Sequence, residues 1–148
     1  MIDDDGDPPV IRISDRQETP LAEAELAALA RDVLRGEGVT DVELSVSFVG
    51  EPEMSELHER FLGEPGPTDV LSFPLEEEDR DERGMRLLGD VVIAPAVAAR
   101  NRPDDPPTEV RLLLVHGILH LLGYDHEEEG ERALMWTHQE RYSGVRLP

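Results

Sequence analysis

The chain has 148 residues, of which 34 are acidic and 14 basic, so its formal net charge is −20 at pH 7. It contains no cysteine, which excludes disulfides and thiolate metal sites and leaves nitrogen and oxygen as the only metal ligands. Every basic residue is arginine, and the strong negative charge argues against general binding to polyanions such as DNA.

The length and an apolar fraction of 39% are those of an ordinary globular domain. We therefore expect residues 1–148 to form one domain, in which residues 1–9 are a flexible acidic tail. The N-terminal residues lack the basic and apolar segments of a secretory signal. The longest uncharged stretch, residues 112–124, is shorter than the roughly 20 residues of a membrane span. The sequence predicts a cytoplasmic protein without a membrane partner.

Hydrophobic periodicity predicts an α+β fold, in which a small mixed sheet of about four strands packs with helices around a central buried helix. The predicted elements in chain order are a strand at Val10–Ile13, a helix that begins at the cap Thr19 and ends at Gly36, a strand at Val42–Phe48, a helix from Glu51 to Gly63, strands at Val70–Phe73 and Leu88–Ile93, a short helix from Pro95, a helix at Thr108–Leu122 capped by Thr108, and a last helix at Glu127–Tyr142.

The helix at 108–122 is apolar around nearly its whole circumference, so we expect it to be the central one. His116 and His120 are four residues apart and share one face, where two imidazoles can bind a single ion. Gly123 permits a turn that ends the helix, and His126 can then supply a third nitrogen. Three imidazoles leave one tetrahedral position open, as in catalytic zinc sites. The spacing predicts one zinc ion per chain on His116, His120 and His126.

The same spacing matches the metzincin protease motif H-E-x-x-H-x-x-G-x-x-H at every histidine and at the glycine. The glutamate that serves as general base in those proteases falls at Gly117, which has no side chain to accept a proton. Peptide hydrolysis by that mechanism is therefore disfavoured. Zinc can still lower the pKa of bound water toward about 7 without a neighbouring glutamate.

Three segments together resemble a known family. They are Thr68–Pro74, Leu88–Ile93 and His116–His126, and the resemblance, which extends from about Val42 to Tyr142, is to the YbeY endoribonucleases, the bacterial rRNA maturation factors. It implies a single-strand-specific, zinc-dependent endoribonuclease that acts in small-subunit rRNA maturation and ribosome quality control. It also implies the three histidines as zinc ligands. The expected partners are ribosomal RNA and the small ribosomal subunit, reached through ribosomal proteins.

One position departs from the family pattern. Many members have an arginine, suited to gripping a phosphate, where this chain has Leu62. Arg60 is no simple substitute, because two helical positions rotate a side chain by about 200°. Phosphate contact would then fall to Arg100, Arg102 or Arg111, although each of these also fits the description of a surface arginine that balances nearby acids.

Two carboxylates are candidate catalytic residues. Asp69 could orient a water or the substrate, but Thr68-Asp69 after Gly66-Pro67 also fits a turn before a strand. Asp125 could support a ligand histidine, and it could equally cap the following helix.

Three other side chains have structural interpretations. His58 shares a face with apolar residues and is expected to be a buried, hydrogen-bonded histidine rather than a fourth ligand. His138 is expected at the surface, and Trp136 is expected in the core rather than in a base-stacking platform.

Two alternative functions stay open. One is a non-catalytic ribosome assembly factor with a structural metal, and the other is a zinc metalloprotease. In the endoribonuclease interpretation, the charge of −20 predicts weak binding to free RNA, because binding depends on cations that displace counterions from phosphate. The substrate would need either a local arginine-lined cleft or delivery by ribosomal proteins.

Overall fold

This computed structural model describes residues 8–75, 80, 84–124 and 128–145, which contain four strands and five helices. The elements in chain order are β1 (Val10–Arg16), α1 (Glu23–Gly36), β2 (Val42–Val49), α2 (Glu51–Leu62), β3 (Val70–Pro74), β4 (Arg86–Ile93), α3 (Pro95–Asn101), α4 (Pro106–Leu121) and α5 (Glu129–Ser143). The predicted α+β class with a mixed four-stranded sheet is confirmed.

The sheet has the strand order β1-β2-β4-β3. The strands β1, β2 and β4 are parallel, whereas β3 pairs antiparallel with β4 and forms one edge of the sheet. In β2 the predicted alternation holds, since Val42, Leu44, Val46 and Phe48 are all buried. Strand β3 pairs with another strand on one side only. Its other side borders the space between α4 and the end of α2.

Helix α4 is the central helix that the sequence predicts. Nine of its 16 residues are buried, and it contacts α1, α3, α5, β3 and β4. Its N-terminal cap is Asp105 rather than the predicted Thr108, because Asp105 Oδ1 accepts the Thr108 backbone N–H at 3.3 Å and Oδ2 accepts the Thr108 hydroxyl at 2.5 Å. No helix among the described residues is long and apolar enough to cross a membrane.

Helix α4 approaches the sheet most closely at Gly117. A Cβ built on this residue would lie 2.7 Å from Val91 Cγ1 and 3.2 Å from Ser72 Oγ, both closer than ordinary van der Waals contact. The Ser72 hydroxyl also donates a hydrogen bond to the Gly117 carbonyl at 3.1 Å. Glycine at this position therefore sets the distance between α4 and the strand pair β3 and β4.

Helix α1 ends at Gly36, as the sequence predicts, but it starts later than predicted. It begins at Glu23 instead of following Thr19, because the Gln17 side chain binds both the backbone N–H and the carbonyl of Thr19 in a local turn. The left-handed residue that follows the helix is Gly38, at φ 75°. Gly36 lies where the ring of Tyr142 fills the space that a Cβ would need.

Two further predictions require correction. Pro9 is buried directly before β1, so the predicted tail of residues 1–9 extends too far, while residues 1–7 lie outside the described residues. Trp136 is 37% exposed, contrary to its predicted place in the core. The neighbouring Met135 is the side chain of α5 that is fully buried, and one helical step turns Trp136 away from it.

A buried carboxylate ties together the ends of α1, α4 and α5. Glu37, whose side chain is 8% exposed, accepts hydrogen bonds from the hydroxyls of Tyr124 at 2.5 Å and Tyr142 at 2.6 Å, and His138 Nδ1 lies 2.8 Å from Glu37 Oε2. His138 is therefore a half-buried member of this group and not the surface residue that was predicted. We call these four residues the Glu37 cluster.

The cluster shifts the pKa values of its members in opposite directions. Burial would raise the pKa of the Glu37 carboxyl, but the three hydrogen bonds outweigh it and hold the pKa below its ordinary value. Burial and the hydrogen bond to Glu37 raise the pKa of both Tyr124 and Tyr142 to about 12. The contribution of the tyrosines to stability is thus present below their ordinary pKa of 10 and is lost as the pH rises toward 12.

Tyrosinate absorbance can test the Glu37 cluster directly, because the chain contains only two tyrosines and both belong to it. The wild type should titrate with a midpoint near pH 12, while circular dichroism reports whether the fold persists. Glu37→Gln removes the negative charge, so its tyrosines should titrate closer to pH 10 in the folded protein. Identical titration curves for the two proteins would contradict the role of Glu37.

The close approach at Gly117 can be tested by adding one methyl group. We expect Gly117→Ala to lower the free energy of unfolding by about 1–3 kcal/mol, because the new Cβ overlaps Val91. The matched control is Gly130→Ala in α5, where nothing lies within 4 Å of the new Cβ. That change should leave stability unchanged or raise it by up to about 1 kcal/mol. Urea denaturation of both variants measures the difference, and equal stabilities would refute the packing argument.

Candidate functional site

A cleft of about 650 Å³ runs along the edge strand β3, between α4 and the C-terminal end of α2. Its lining residues are Phe61 and Leu62 from α2, Asp69, Val70, Leu71, Ser72, Phe73 and Pro74 from β3 and the turn before it, and His116 and His120 from α4. A separate cleft of about 750 Å³ beside Glu37 and Tyr124 contains neither of these histidines. The β3 cleft is therefore the candidate functional site.

The two histidines of α4 are set apart from the rest of that helix by their exposure. Between Leu112 and Leu121, His116 and His120 are partly exposed at the cleft, and all the remaining residues are buried. Their rings lie edge to face, with centroids 4.6 Å apart and an interplanar angle of 78°. The predicted pairing of these histidines on one helical face is confirmed, and the close spacing suits two ligands of one ion.

The chain leaves α4 through the turn that the sequence predicts at Gly123. This residue has φ 101°, its N–H binds the His120 carbonyl, and the N–H of Tyr124 binds the carbonyl of Leu119, each at 3.0 Å. Such a pair of hydrogen bonds forms the Schellman motif, in which a glycine reverses the chain at a helix end. The reversal begins three residues after His120 and directs the chain away from the helix axis.

The third predicted ligand, His126, and the candidate Asp125 lie outside the described residues. Within the described ranges, no three or more histidine, aspartate or glutamate side chains are grouped so that they could hold a metal ion. The donor set that is described, two imidazoles at one cleft, nevertheless suits a borderline metal such as zinc. His116 and His120 therefore fit the predicted metal centre as two of its ligands.

His116 has a hydrogen-bond partner that the sequence analysis missed. Its Nδ1 lies 2.8 Å from Oε1 of Gln139 on α5. Gln139 is 4% exposed, and among the described residues it is the one polar residue that is buried as a whole residue, backbone included. The periodicity of α5 could have indicated the burial of Gln139, because this residue is four positions after the buried Met135 and thus on the same helical face.

Asp69 lies at one end of the cleft, as a candidate catalytic residue should. Its carbonyl accepts the Ala94 N–H at 2.9 Å, and its carboxylate accepts a hydrogen bond from Asn101 Nδ2 at 3.3 Å. Asp69 thus stabilises the entry into β3, and it also lines the cleft that contains the two histidines.

His58 behaves as the sequence predicts. It is largely buried, its Nδ1 lies 2.8 Å from the Gly66 carbonyl, and its Nε2 lies 3.3 Å from a carboxylate oxygen of Glu64. It does not line the cleft, and its hydrogen bonds hold the turn after α2.

None of the arginines considered for phosphate binding lines the cleft. Arg100 pairs with Glu51 at 2.5 Å, Arg102 pairs with Glu109 at 3.0 Å, and Arg111 donates to the Thr108 hydroxyl at 2.9 Å. The ion pairs of Arg100 and Arg102 are those of surface arginines that balance nearby acids. The described cleft lining contains no basic residue other than the two histidines.

Two phenylalanines, Phe61 and Phe73, line the cleft together with the histidines. Phe61 is 55% exposed, and its ring packs edge to face on Phe73 with centroids 5.2 Å apart. The guanidinium carbon of Arg60 lies 5.4 Å from the centre of the Phe61 ring. The neighbouring Leu62 is also exposed and lines the cleft. Phe61 therefore offers the cleft an exposed aromatic ring with one cation beside it.

Sequence comparison identifies the family. The family model described as Endoribonuclease YbeY matches residues 12–144. The chain belongs to the endoribonuclease YbeY family. An endoribonuclease YbeY from Beutenbergia cavernae is 47% identical over 137 residues, covering 87% of this chain and 91% of the relative. One from Cutibacterium acnes is 46% identical over 118 residues, covering 75% of each chain. The YbeY resemblance inferred from the sequence motifs is confirmed.

A solved structure shows the same fold. The solution structure of a protein from Thermotoga maritima is 33% identical to this chain and superimposes with a TM-score of 0.60, covering 90% of this chain and 87% of the other. The mixed sheet with its surrounding helices is thus an architecture that this YbeY chain shares with an experimentally determined structure.

Proposed function

We propose that this YbeY-family chain is a zinc-dependent, single-strand-specific endoribonuclease that acts in small-subunit rRNA maturation and ribosome quality control. The observation that carries the proposal is the pair His116 and His120, partly exposed side by side on an otherwise buried helix, in a chain that matches an endoribonuclease family over residues 12–144. A cytoplasmic location and association with the small ribosomal subunit are part of the same proposal.

In this proposal His116, His120 and His126 hold one zinc ion. When bound, zinc supplies an activated water near neutral pH and a Lewis acid for a phosphoryl oxygen. Two carboxylates of the chain have supporting roles in this proposal. Asp69 borders the cleft and can orient a water or the substrate, and Asp125 can support a ligand histidine.

The packing of Gly117 disfavours the metalloprotease alternative. The position at which a metzincin has its catalytic glutamate faces Val91 and Ser72 in the interface between α4 and the sheet. A glutamate placed there would clash with Val91 and Ser72 from its Cβ onward. Peptide hydrolysis with a base at this position therefore has no support in the geometry.

The cleft suits a single strand that is held by stacking more than by charge. Its described lining has an exposed aromatic ring but no arginine or lysine, and the whole chain carries a charge of −20. Stacking on an aromatic side chain is available to every unpaired base and does not depend on counterion release. We therefore propose that delivery by ribosomal proteins brings the RNA to the site and that Phe61 stacks one base beside the histidines.

The metal and nuclease parts of the proposal are tested with His120→Ala, and His58→Gln serves as a histidine control outside the cleft. Loss of a group that only supports a zinc ligand commonly costs roughly 10–100-fold in affinity or activity, so loss of a ligand should cost at least about 100-fold. We expect His120→Ala to lose zinc and to stop cleaving single-stranded RNA, while His58→Gln keeps both. Equal cleavage by wild type and His120→Ala would overturn the proposal.

Removal of the metal separates the enzyme from an assembly factor with a structural metal. A structural ion should be needed for folding, so its removal with a chelator should abolish the circular dichroism signal of the folded chain. We expect the metal-free wild type to remain folded, because the described core is formed by apolar residues of α4 and the sheet. Unfolding on metal removal would favour the assembly-factor alternative.

The stacking role of Phe61 is tested with Phe61→Ala against Trp136→Ala. Both are exposed aromatics with an arginine near the ring, but Trp136 does not line the cleft. Because one stacked base contributes about 1–3 kcal/mol, Phe61→Ala should weaken binding of a short single-stranded RNA about 10-fold, with an unchanged salt dependence. Trp136→Ala should bind as the wild type does. Equal affinities of wild type and Phe61→Ala would contradict the stacking role.

A further inference from the structure

Gln139 stands out because it is a polar side chain that is kept inside the protein. It is 4% exposed, and its partner is His116, which lies 23 residues earlier and on another helix. Burial of an amide costs free energy unless the amide is hydrogen-bonded. A residue that only filled space between α4 and α5 could be apolar at no such cost, so the amide points to a role in holding the histidine.

We infer that Gln139 is a positioning residue for His116, which fixes the orientation and the tautomer of the imidazole ring. The inference rests on the proposed metal site, since it concerns how one proposed ligand is presented. The amide oxygen Oε1, at 2.8 Å from Nδ1, can only accept a hydrogen bond. The proton of the neutral ring must then be on Nδ1, which leaves the lone pair on Nε2, the nitrogen on the other side of the ring.

The chemistry of the amide distinguishes it from the carboxylate that often supports a metal-bound histidine. A carboxylate at 4% exposure would add a buried negative charge to a chain whose net charge is already −20. Glutamine provides the same accepting oxygen without that charge. The hydrogen bond therefore orients His116 at a smaller desolvation cost than glutamate would require.

The position of Gln139 is itself fixed by the residues around it on α5. Met135, one turn earlier, is fully buried and packs in the main core. His138 and Tyr142, on either side along the helix, are bound to Glu37 at the end of α1. Because α5 is anchored at these neighbouring positions, Oε1 of Gln139 is held at a defined place against His116.

The metal-free protein provides a test that does not depend on catalysis. Long-range ¹H–¹⁵N NMR spectra assign which ring nitrogen of His116 carries the proton, and the expected result for the wild type is Nδ1–H. In Gln139→Met, which has similar volume but no accepting oxygen, we expect the Nε2–H form to become populated. An Nε2–H tautomer in the wild type would overturn the inference, whatever the behaviour of the variants.

Zinc affinity, measured by competition with a chromogenic chelator, provides the second readout. We expect Gln139→Met to bind zinc roughly 10–100-fold more weakly than the wild type. Gln139→Glu, which keeps the accepting oxygen, should restore the affinity. Thr137→Ala, an exposed change on the same helix, should have no effect. Wild-type affinity in Gln139→Met would refute the positioning role.

The proposed metal site and the positioning role of Gln139 can be refuted separately. If His120→Ala binds zinc as tightly as the wild type, the proposed metal site is wrong. If His120→Ala loses zinc but Gln139→Met retains both wild-type affinity and the Nδ1–H tautomer, the metal site stands and only the positioning role is refuted. Urea denaturation of each variant checks that the comparison is made between folded proteins.

Discussion

The close contact between α4 and the sheet at Gly117 is the constraint on which the site depends. The helix can lie this near to Val91 and Ser72 only because residue 117 has no side chain. Successive residues of an α-helix differ by about 100° in direction, so seating Gly117 on the sheet turns its neighbour His116 toward the open side of β3. His120, four residues later, follows on the same face. One missing side chain thus places both histidines at the cleft.

This packing also decides which chemistry the helix can support. The metzincin motif has its general base at the position that Gly117 occupies in this chain. Here that position lies in the interface between α4 and the sheet, and the cleft lies beside the edge strand β3. The cleft lining also includes apolar side chains, among them the exposed ring of Phe61 at the end of α2. The proposed function would combine metal ligands from α4 with a stacking ring from α2, and it would gain little from long-range attraction in a chain that carries a charge of −20.

Local patterns predicted the parts of the structure that depend on local physics. The alternation in β2, the apolar circumference of α4 and the glycine turn at Gly123 are each determined by a few neighbouring residues, and each is found. The cap of α4 was predicted at the wrong residue. Asp105 and Thr108 can both cap a helix, and the tertiary fold makes Asp105 the cap. The contact between Gln139 and His116 joins two helices, so no local pattern contains it.

The distribution of charge inside the fold connects these observations. Glu37 is a buried carboxylate, and it is stabilised by three hydrogen-bonding side chains that between them fix the ends of α4 and α5. Next to the histidines, where a second buried carboxylate would need its own set of donors, the chain has the neutral Gln139. Helix α5 therefore carries, within five residues, two partners of Glu37 and the neutral acceptor for His116, namely His138, Tyr142 and Gln139. The Glu37 contacts fix the helix and the amide orients His116, so that stability and site geometry depend on the same docking of α5 against α4.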